Sequence, residues 1–504
     1  MEIIDEIRKC SIMQPNKIAY QINGEKLTYA ELEEKSNSLA NAIQLQMKRD
    51  KTPIIIYGHK DKYMLICFLA CVKSGRGYCP IDTSVPIERT KQIIETVNSK
   101  IILCPEESKL EDSRVWDIDK IKEESEKNEK IDKKYYVKEN DVFYIIFTSG
   151  STGIPKGVQI TVNCLNNFLK WSKRLGKIDQ KSDLIFLNQA PFSFDLSVMD
   201  LYTSLATGST LVAIDKDTQT DMEKLFDLLK KSNANIWVST PSFINMCLSD
   251  KKFNRELLPK LETFLFCGEV LQNSTAEKIM NRFEDSEVIN TYGPTEATVA
   301  VTNVTITKEM IKRQQSLPVG KPKENTYILI QNHKKENLPE NEKGEIVIVG
   351  DTVSIGYFNN YEKTKKVFEN YKINNIDYRA YRTGDKGYIQ NGQLYYCGRL
   401  DFQVKLHGYR IEIEDIENNI ARVKSVKSVA VIPKYEDDNI TVKYLQAYIV
   451  TKNIVKNKNE EITKIKEELK NILPHYMIPK KIKFIDKMPM TNNCKIDRKV
   501  LGEL

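Results

Sequence analysis

The sequence predicts an α/β protein: a large N-terminal domain of mostly parallel sheets flanked by helices, a small antiparallel barrel-like section within it, and a small α+β C-terminal domain. Three observations predict it. Short apolar runs alternate with amphipathic stretches as far as about residue 300, the signature of strands leading into helices in a mostly parallel sheet. From about 321 the runs are separated by Gly and Asn turns, as antiparallel strands require. The last hundred residues carry a compact helix-and-strand pattern of their own. The expected division is therefore 1–400, with 321–400 as its antiparallel section, and 401–504.

In chain order, 53–57 reads as a strand and 62–73 as a helix. The stretch 106–140 is dense in Glu, Lys and Asp and reads as a solvated helix and loop. Residues 142–147 (VFYIIF) form the next strand, followed by apolar or amphipathic segments at 183–188, 195–206, 210–214, 222–231, 235–239 and 261–267. Strands follow at 344–349 and 393–397. Beyond the junction at 398–401 come a helix at 411–420, strands at 428–433 and 443–450, a helix at 460–473 and a closing strand at 481–485.

Bulk properties exclude several classes. The net charge of +7 is small for 504 residues, and Lys and Glu are interspersed, so nucleic-acid binding gains no support. The longest apolar run, 63–72, is too short to span a bilayer. The N-terminus MEIIDEIRKC is charged and unlike a signal peptide. Ten cysteines without a C-x-x-C pair read as reduced thiols, and four isolated histidines form no metal centre. A cytoplasmic monomer is expected.

Chemistry concentrates in a few segments. FTSGSTGIPKG at 147–157 follows a strand with glycines, hydroxyls and a lysine, a combination that cradles phosphate. It does not fit the Walker A spacing. NTYGPTE at 290–296 sets a hydroxyl beside a carboxylate, suited to a phosphate and its Mg²⁺. YRTGD at 381–385 places an acid after a glycine, where it can accept ribose hydroxyls. GRLD at 398–401, KLHGYRIE at 405–412 and NNCKIDRK at 492–499 complete the set.

Together these segments resemble the adenylate-forming superfamily of acyl-CoA synthetases, luciferases and peptide-synthetase adenylation domains, over essentially the whole chain. NQAPFSFDLSVMD at 188–200, FCGE at 266–269 and KLHGY at 405–409 are more narrowly similar to the branch that loads D-alanine onto a carrier protein for teichoic acid D-alanylation. The chain ends soon after Lys495 with no carrier domain, as in free-standing members. The resemblance implies ATP and Mg²⁺ as cofactors, and D-alanine and a phosphopantetheinylated D-alanyl carrier protein as partners. ATP would be held by Thr148, Ser149, Gly150, Ser151, Thr152, Gly153 and Lys156, by Asn290, Thr291, Tyr292, Gly293 and Thr295, and by Asp385, Arg399 and Lys495. Glu296 would bind the metal. Lys495 would be the catalytic cation that bridges the attacking carboxylate and the α-phosphate, a role suited to a mobile point charge.

For the amino acid, the resemblance implies that Asp195 binds the ammonium group, and that Cys267, Leu196, Met199 and Val299 form a small apolar wall. Asp195 also stands where a helix N-cap would, and Cys267 also reads as an ordinary core thiol. Residues 401–504 would be a mobile lid that turns at the hinge Asp401, withdrawing Lys495 and bringing 405–412 to the site. Two other readings are an adenylation enzyme for another small amino acid and an acyl-CoA synthetase. One departure stands out: Cys494 occupies a position that is usually Gly before the catalytic lysine.

Overall fold

The structure is a computed structural model describing residues 2–107, 110–150, 155–313, 315–438, 440–453, 455, 457–490 and 496–503. Its larger part contains a nine-stranded and a six-stranded sheet. In the nine-stranded sheet, Glu287–Tyr292, Thr263–Phe266, Ile236–Ser239, Ile185–Asn188, Thr210–Ala213 and Ile18–Ile22 run parallel in that spatial order. Antiparallel strands close its edges. In the six-stranded sheet, Ile54–Tyr57 and Tyr78–Ile81 lead across to Val142–Thr148, which pairs antiparallel with Lys156–Thr161.

One apolar cluster serves both sheets. Helices Lys62–Lys73 and Leu196–Ala206 lie within it, and nearly every residue of each is buried. Such helices are apolar all round, as these sequences are. Because parallel strands point the same way, their C-terminal ends open onto one crevice, the usual ligand position in this architecture.

Residues 326–399 form a five-stranded antiparallel sheet that includes the long strand Ile376–Gln390, whereas Lys321–Pro322, at the start of the section expected at 321–400, pairs into the nine-stranded sheet. The C-terminal part has its own core. Strands Val426–Tyr435 and Val442–Thr451 pair antiparallel, and Lys481–Phe484 adds in parallel. The helix expected at 411–420 needs correcting. Residues Tyr409–Glu412 form a strand paired with Gln403–Leu406, and the helix is Ile413–Ala421. The hairpin ladder claims the backbone of 409–412 before a helix can begin. Its turn places both His407 (φ 52°) and Gly408 (φ 80°) in the left-handed region.

The nine described cysteines are all free. No described helix is long and apolar enough to cross a membrane.

Candidate active site

Two adjoining cavities open where the C-terminal hairpin meets the strand ends. The smaller, about 80 Å³, is lined by Asp195, Leu196, Cys267, Gly293, Thr295, Val299, Asp385 and Arg399, and from the hairpin by Lys405, His407 and Arg410. The larger, about 920 Å³, is lined by Asn290, Thr291, Tyr292, Arg399, Asp401 and Lys405 among others. Gly268, Gly293, Arg399, Lys405 and His407 border both.

Asp195 precedes helix Leu196–Ala206, yet its side chain makes no capping bond. The N-cap reading therefore fails. The carboxylate is half-buried in the cavity wall, and burial raises its pKa, countered by a hydrogen bond from Thr295 and the charge of Lys405. Burying a carboxylate is unfavourable unless a cation or donors compensate it. Cys267 follows strand Thr263–Phe266, with Sγ 3.7 Å from the Val299 carbonyl, and burial pushes its thiol up.

Val299 reaches the cavity through a turn in which both Thr298 (φ 62°) and Val299 (φ 67°) are left-handed. That region is unfavourable for β-branched residues and persists where surroundings enforce it. Thr298 Oγ1 donates to Thr352 O at 2.7 Å, and Ala300 N to Thr298 O at 2.8 Å. No local sequence signal marked this strain. Met199 is the exception among the expected wall residues. It lies one turn further along the helix, is buried in the main core and does not line the cavity.

The expected nucleotide residues form a connected polar network. Tyr292 Oη donates to Asp385 Oδ2 at 2.6 Å, and Arg399 Nη1 donates to Asp385 Oδ1 at 2.7 Å. Arg399 also donates through Nε to Asp401 Oδ1 at 2.7 Å, so the candidate hinge is tied to the site. Burial works to raise the Asp401 pKa, but Arg399 holds it below the ordinary value. Asn290 Nδ2 donates to Pro318 O, and Thr291 Oγ1 to Phe266 O, which fixes the strand end. The buried Thr148 hydroxyl has no hydrogen-bond partner among the described residues. Gly150 is described at the end of this strand and loop; Ser151, Thr152 and Gly153 lie outside the described residues, as do Cys494 and Lys495.

Glu296 is fully buried. Tyr357 Oη donates to its Oε1 at 2.8 Å and Arg410 Nη1 to its Oε2 at 2.6 Å. Burial works to raise its pKa, yet Arg410 and Lys156 hold it at about 2. A single carboxylate with phosphate oxygens suits Mg²⁺, but here Arg410 occupies that side of Glu296. Among the described residues no group of three His, Cys, Asp or Glu is placed to hold a metal. With the hairpin seated, the metal assignment does not fit.

Four contributors escaped the sequence reading. Tyr357 had no signal. Arg410 and Glu412 sat inside a segment already singled out, but only the fold shows their partners. Glu269 accepts from Gly408 N at 2.6 Å and from the Ser242 amide at 3.0 Å and the Ser242 hydroxyl, so it anchors the hairpin turn.

Residues 8–358 match the family model described as AMP-binding enzyme, and 415–495 match the AMP-binding enzyme C-terminal domain. The chain is 45% identical over 507 residues to a D-alanine--D-alanyl carrier protein ligase of Bacillus mycoides, covering 99% of both chains. It is 46% identical over 510 residues to the enzyme of that name from Listeria monocytogenes, covering 99% of this chain and 98% of that one. A solved Vibrio cholerae adenylation domain in complex with glycyl-adenosine-5'-phosphate is similar in fold, with a TM-score of 0.82 at 23% identity, covering 100% of this chain and 97% of that one. So is an o-succinylbenzoate CoA synthetase from Bacillus subtilis, with a TM-score of 0.84 at 21% identity over 99% of this chain and 98% of that one.

Proposed function

The chain belongs to the AMP-binding enzyme family, and from that premise we propose that it is a D-alanine–D-alanyl carrier protein ligase. It activates D-alanine with ATP to D-alanyl-AMP and pyrophosphate. It then transfers the D-alanyl group to the phosphopantetheine thiol of a carrier protein, releasing AMP. The carrying observation is the small cavity in which one carboxylate, Asp195, faces the apolar wall of Cys267, Val299 and Leu196. An acid suits an ammonium group, and the small space suits one methyl. An acyl-CoA synthetase has no use for that acid.

In the first half-reaction two anions must meet, so positioning and electrostatics dominate. Asp195 orients the amino acid through its ammonium group. Asp385, fixed by Tyr292 and Arg399, takes the ribose. Tyr292 flanks the adenine, and Asn290, Thr291 and Gly293 shape its pocket. Thr295 meets the α-phosphate, while residues 148–153 and Lys156 take the rest of the triphosphate. Lys495 supplies the bridging cation. Only with Arg410 displaced from it would Glu296 be free to hold a Mg²⁺, which would supply neutralisation of phosphate charge. In the second half-reaction residues 401–504 act as a lid that turns at Asp401 and presents 405–412 to the site. The cytoplasm, where ATP is abundant, is the compartment this reaction needs.

ATP–pyrophosphate exchange with D-alanine, L-alanine, glycine, L-serine and a panel of carboxylic acids tests the reading. D-alanine should give the highest kcat/KM. Preference for another small amino acid, or for an acid without an amine, would overturn the substrate assignment.

A further inference from the structure

Asp385, given the ribose above, stands on a strand that is deformed at that point. Ile376–Gln390 pairs antiparallel with Gly344–Gly350 on one side and with Gln393–Arg399 on the other. On the first side Glu345 faces Lys386 and Val347 faces Arg382, so a step of two residues in one strand spans four in its partner. On the second side the register shifts again between Asp385 and Gly387. Residues 383–385 therefore bulge out of the ladder, a deformation that re-aims side chains and recurs beside active sites.

A bulge takes backbone groups away from their ladder partners, and each group it frees needs another. Thr383 Oγ1 donates to Ile346 O at 2.7 Å and accepts from the Asp385 amide at 2.9 Å. Gly384 O accepts from the Leu400 amide at 2.8 Å. The Gly384 amide, on a left-handed backbone with φ +70°, donates to Glu345 Oε1 at 3.1 Å. Of these four groups it is the one served by a charged side chain from another strand. The other Glu345 oxygen is gripped in turn. Arg382 Nη2 donates to Oε2 at 2.5 Å, while Arg382 Nη1 donates to Gln331 Oε1 at 2.8 Å and to Glu369 Oε1 at 3.5 Å. The Glu345 and Arg382 side chains are only 18% and 13% exposed, and neither residue lines either cavity.

Asp385 is thus held from two directions. Tyr292 and Arg399 fix its carboxylate from within the site, and Glu345 fixes the backbone beside it from outside. The bulge also has no slack. A Cβ placed on Gly384 would lie 2.8 Å from Arg399 Nη2 and 3.1 Å from Asp401 Oδ2, so a shift of this turn passes directly to the Arg399–Asp385 pair. Recognition of two hydroxyls by one carboxylate needs placement to within about 0.5 Å.

We propose that Glu345, braced by Arg382, is a positioning residue for nucleotide binding: it fixes the bulge at 383–385 so that the Asp385 carboxylate meets the ribose hydroxyls. The proposal rests on the ribose reading of Asp385 given above, and not on the identity of the amino acid.

The test is ATP–pyrophosphate exchange by the full chain with D-alanine, comparing ATP with 2′-deoxy-ATP and 3′-deoxy-ATP. The unaltered chain should prefer ATP by about 30-fold in kcat/KM over the analogue that lacks a bound hydroxyl, the size expected for a hydrogen bond to a charged group. Glu345→Ala should raise the ATP KM about tenfold and shrink that preference about tenfold, with the D-alanine KM unchanged. Glu345→Gln keeps an acceptor for the Gly384 amide but not the charge that Arg382 grips, so its preference should fall only about threefold. The unchanged D-alanine KM reports that each variant is intact, and if Glu345→Ala does not fold, Glu345→Gln decides. In an Asp385→Asn background Glu345→Ala should cost no further preference, because it acts through that acid. An unaltered chain that does not discriminate would overturn the ribose reading, and the proposal with it. A discriminating chain whose folded variants keep its ratio, or lose more of it without Asp385, would overturn the proposal alone.

Discussion

The amino-acid cavity and the hairpin dock lie side by side and are built by opposite means. The cavity wall is set by apolar packing: Leu196, Cys267 and Val299 belong to the main core and are 7%, 3% and 1% exposed. The dock is mostly polar. It comprises three ion pairs, Lys156–Glu412, Glu296–Arg410 and Arg89–Asp415, the backbone contacts through Ser149 and Glu269, and the Phe194, Tyr409 and Tyr476 rings. Packed apolar walls resist deformation and give one shape. The contrast suits a rigid reader of the substrate beside the lid proposed above.

Four substitutions press on this contrast, from the largest expected effect downward. Asp195→Ala removes the carboxylate proposed above to meet the amine. It should raise the D-alanine KM about 100-fold, on the order of 3 kcal/mol, with ATP KM unchanged in pyrophosphate exchange. Burial raises the Asp195 pKa, so the carboxylate is fully ionised only at higher pH than usual. Acidification through that raised value protonates it, and the amino-acid KM should climb while ATP KM holds. A flat profile would deny Asp195 the role.

Gly408→Val attacks the dock. Gly408 has φ +80°, and an added Cβ would lie 2.6 Å from Thr240 Cγ2. Left-handed strain of about 1–2 kcal/mol adds to that clash. Transfer to the carrier should fall about 30-fold, well beyond any loss in exchange. Equal losses in both assays would mean that the dock serves the fold and not the transfer step.

Cys267→Ala removes one sulfur from the wall and so enlarges the cavity. The D-to-L preference in exchange should shrink by about 10- to 200-fold, since one small group discriminates by about 1–3 kcal/mol. A fixed ratio would leave Cys267 as core alone.

Lys60→Met probes the support behind the cavity. Lys60 Nζ donates to the carbonyls of Asn188 (2.9 Å), Gln189 (3.0 Å) and Ile214 (3.0 Å). Each carbonyl keeps another donor, Ile214 N or Gln219 Nε2. Burial lowers the Lys60 pKa from 10.5 to about 7. Between those values the unfolded chain binds the extra proton, so this group's contribution to stability rises with pH there and its unfavourable effect is fully present below 7. Lys60→Met should shift stability by no more than about 1 kcal/mol near neutrality and flatten that pH dependence, read by urea titration at several pH values. A large loss would show that the ammonium, not the apolar stem, holds the cavity loop.

Much of the site was legible because its chemistry sits in short contiguous segments. A strand running into FTSGSTG, an acid beside a threonine in NTYGPTE and an acid after glycine in YRTGD each carry a local physical reason. Met199 was misplaced because helical spacing gives a face but not a depth. The helix expected at 411–420 starts two residues late, at Ile413, because the cross-strand partner of 409–412 is invisible to periodicity. Tyr357, and the left-handed turn at Thr298 and Val299, left no trace in composition at all.

By itself the sequence determined the alternation that makes parallel sheets, the apolar helices between them and the types of charged group available for the chemistry. These follow from local periodicity and from what each side chain is able to do. Only the tertiary structure decided which charges face one another. Lys156 and Glu412 are 256 residues apart, and Glu296 and Arg410 are 114 apart. A pairing over such separations is fixed by how the two parts of the chain pack, because an ion pair carries no directional signal along the backbone.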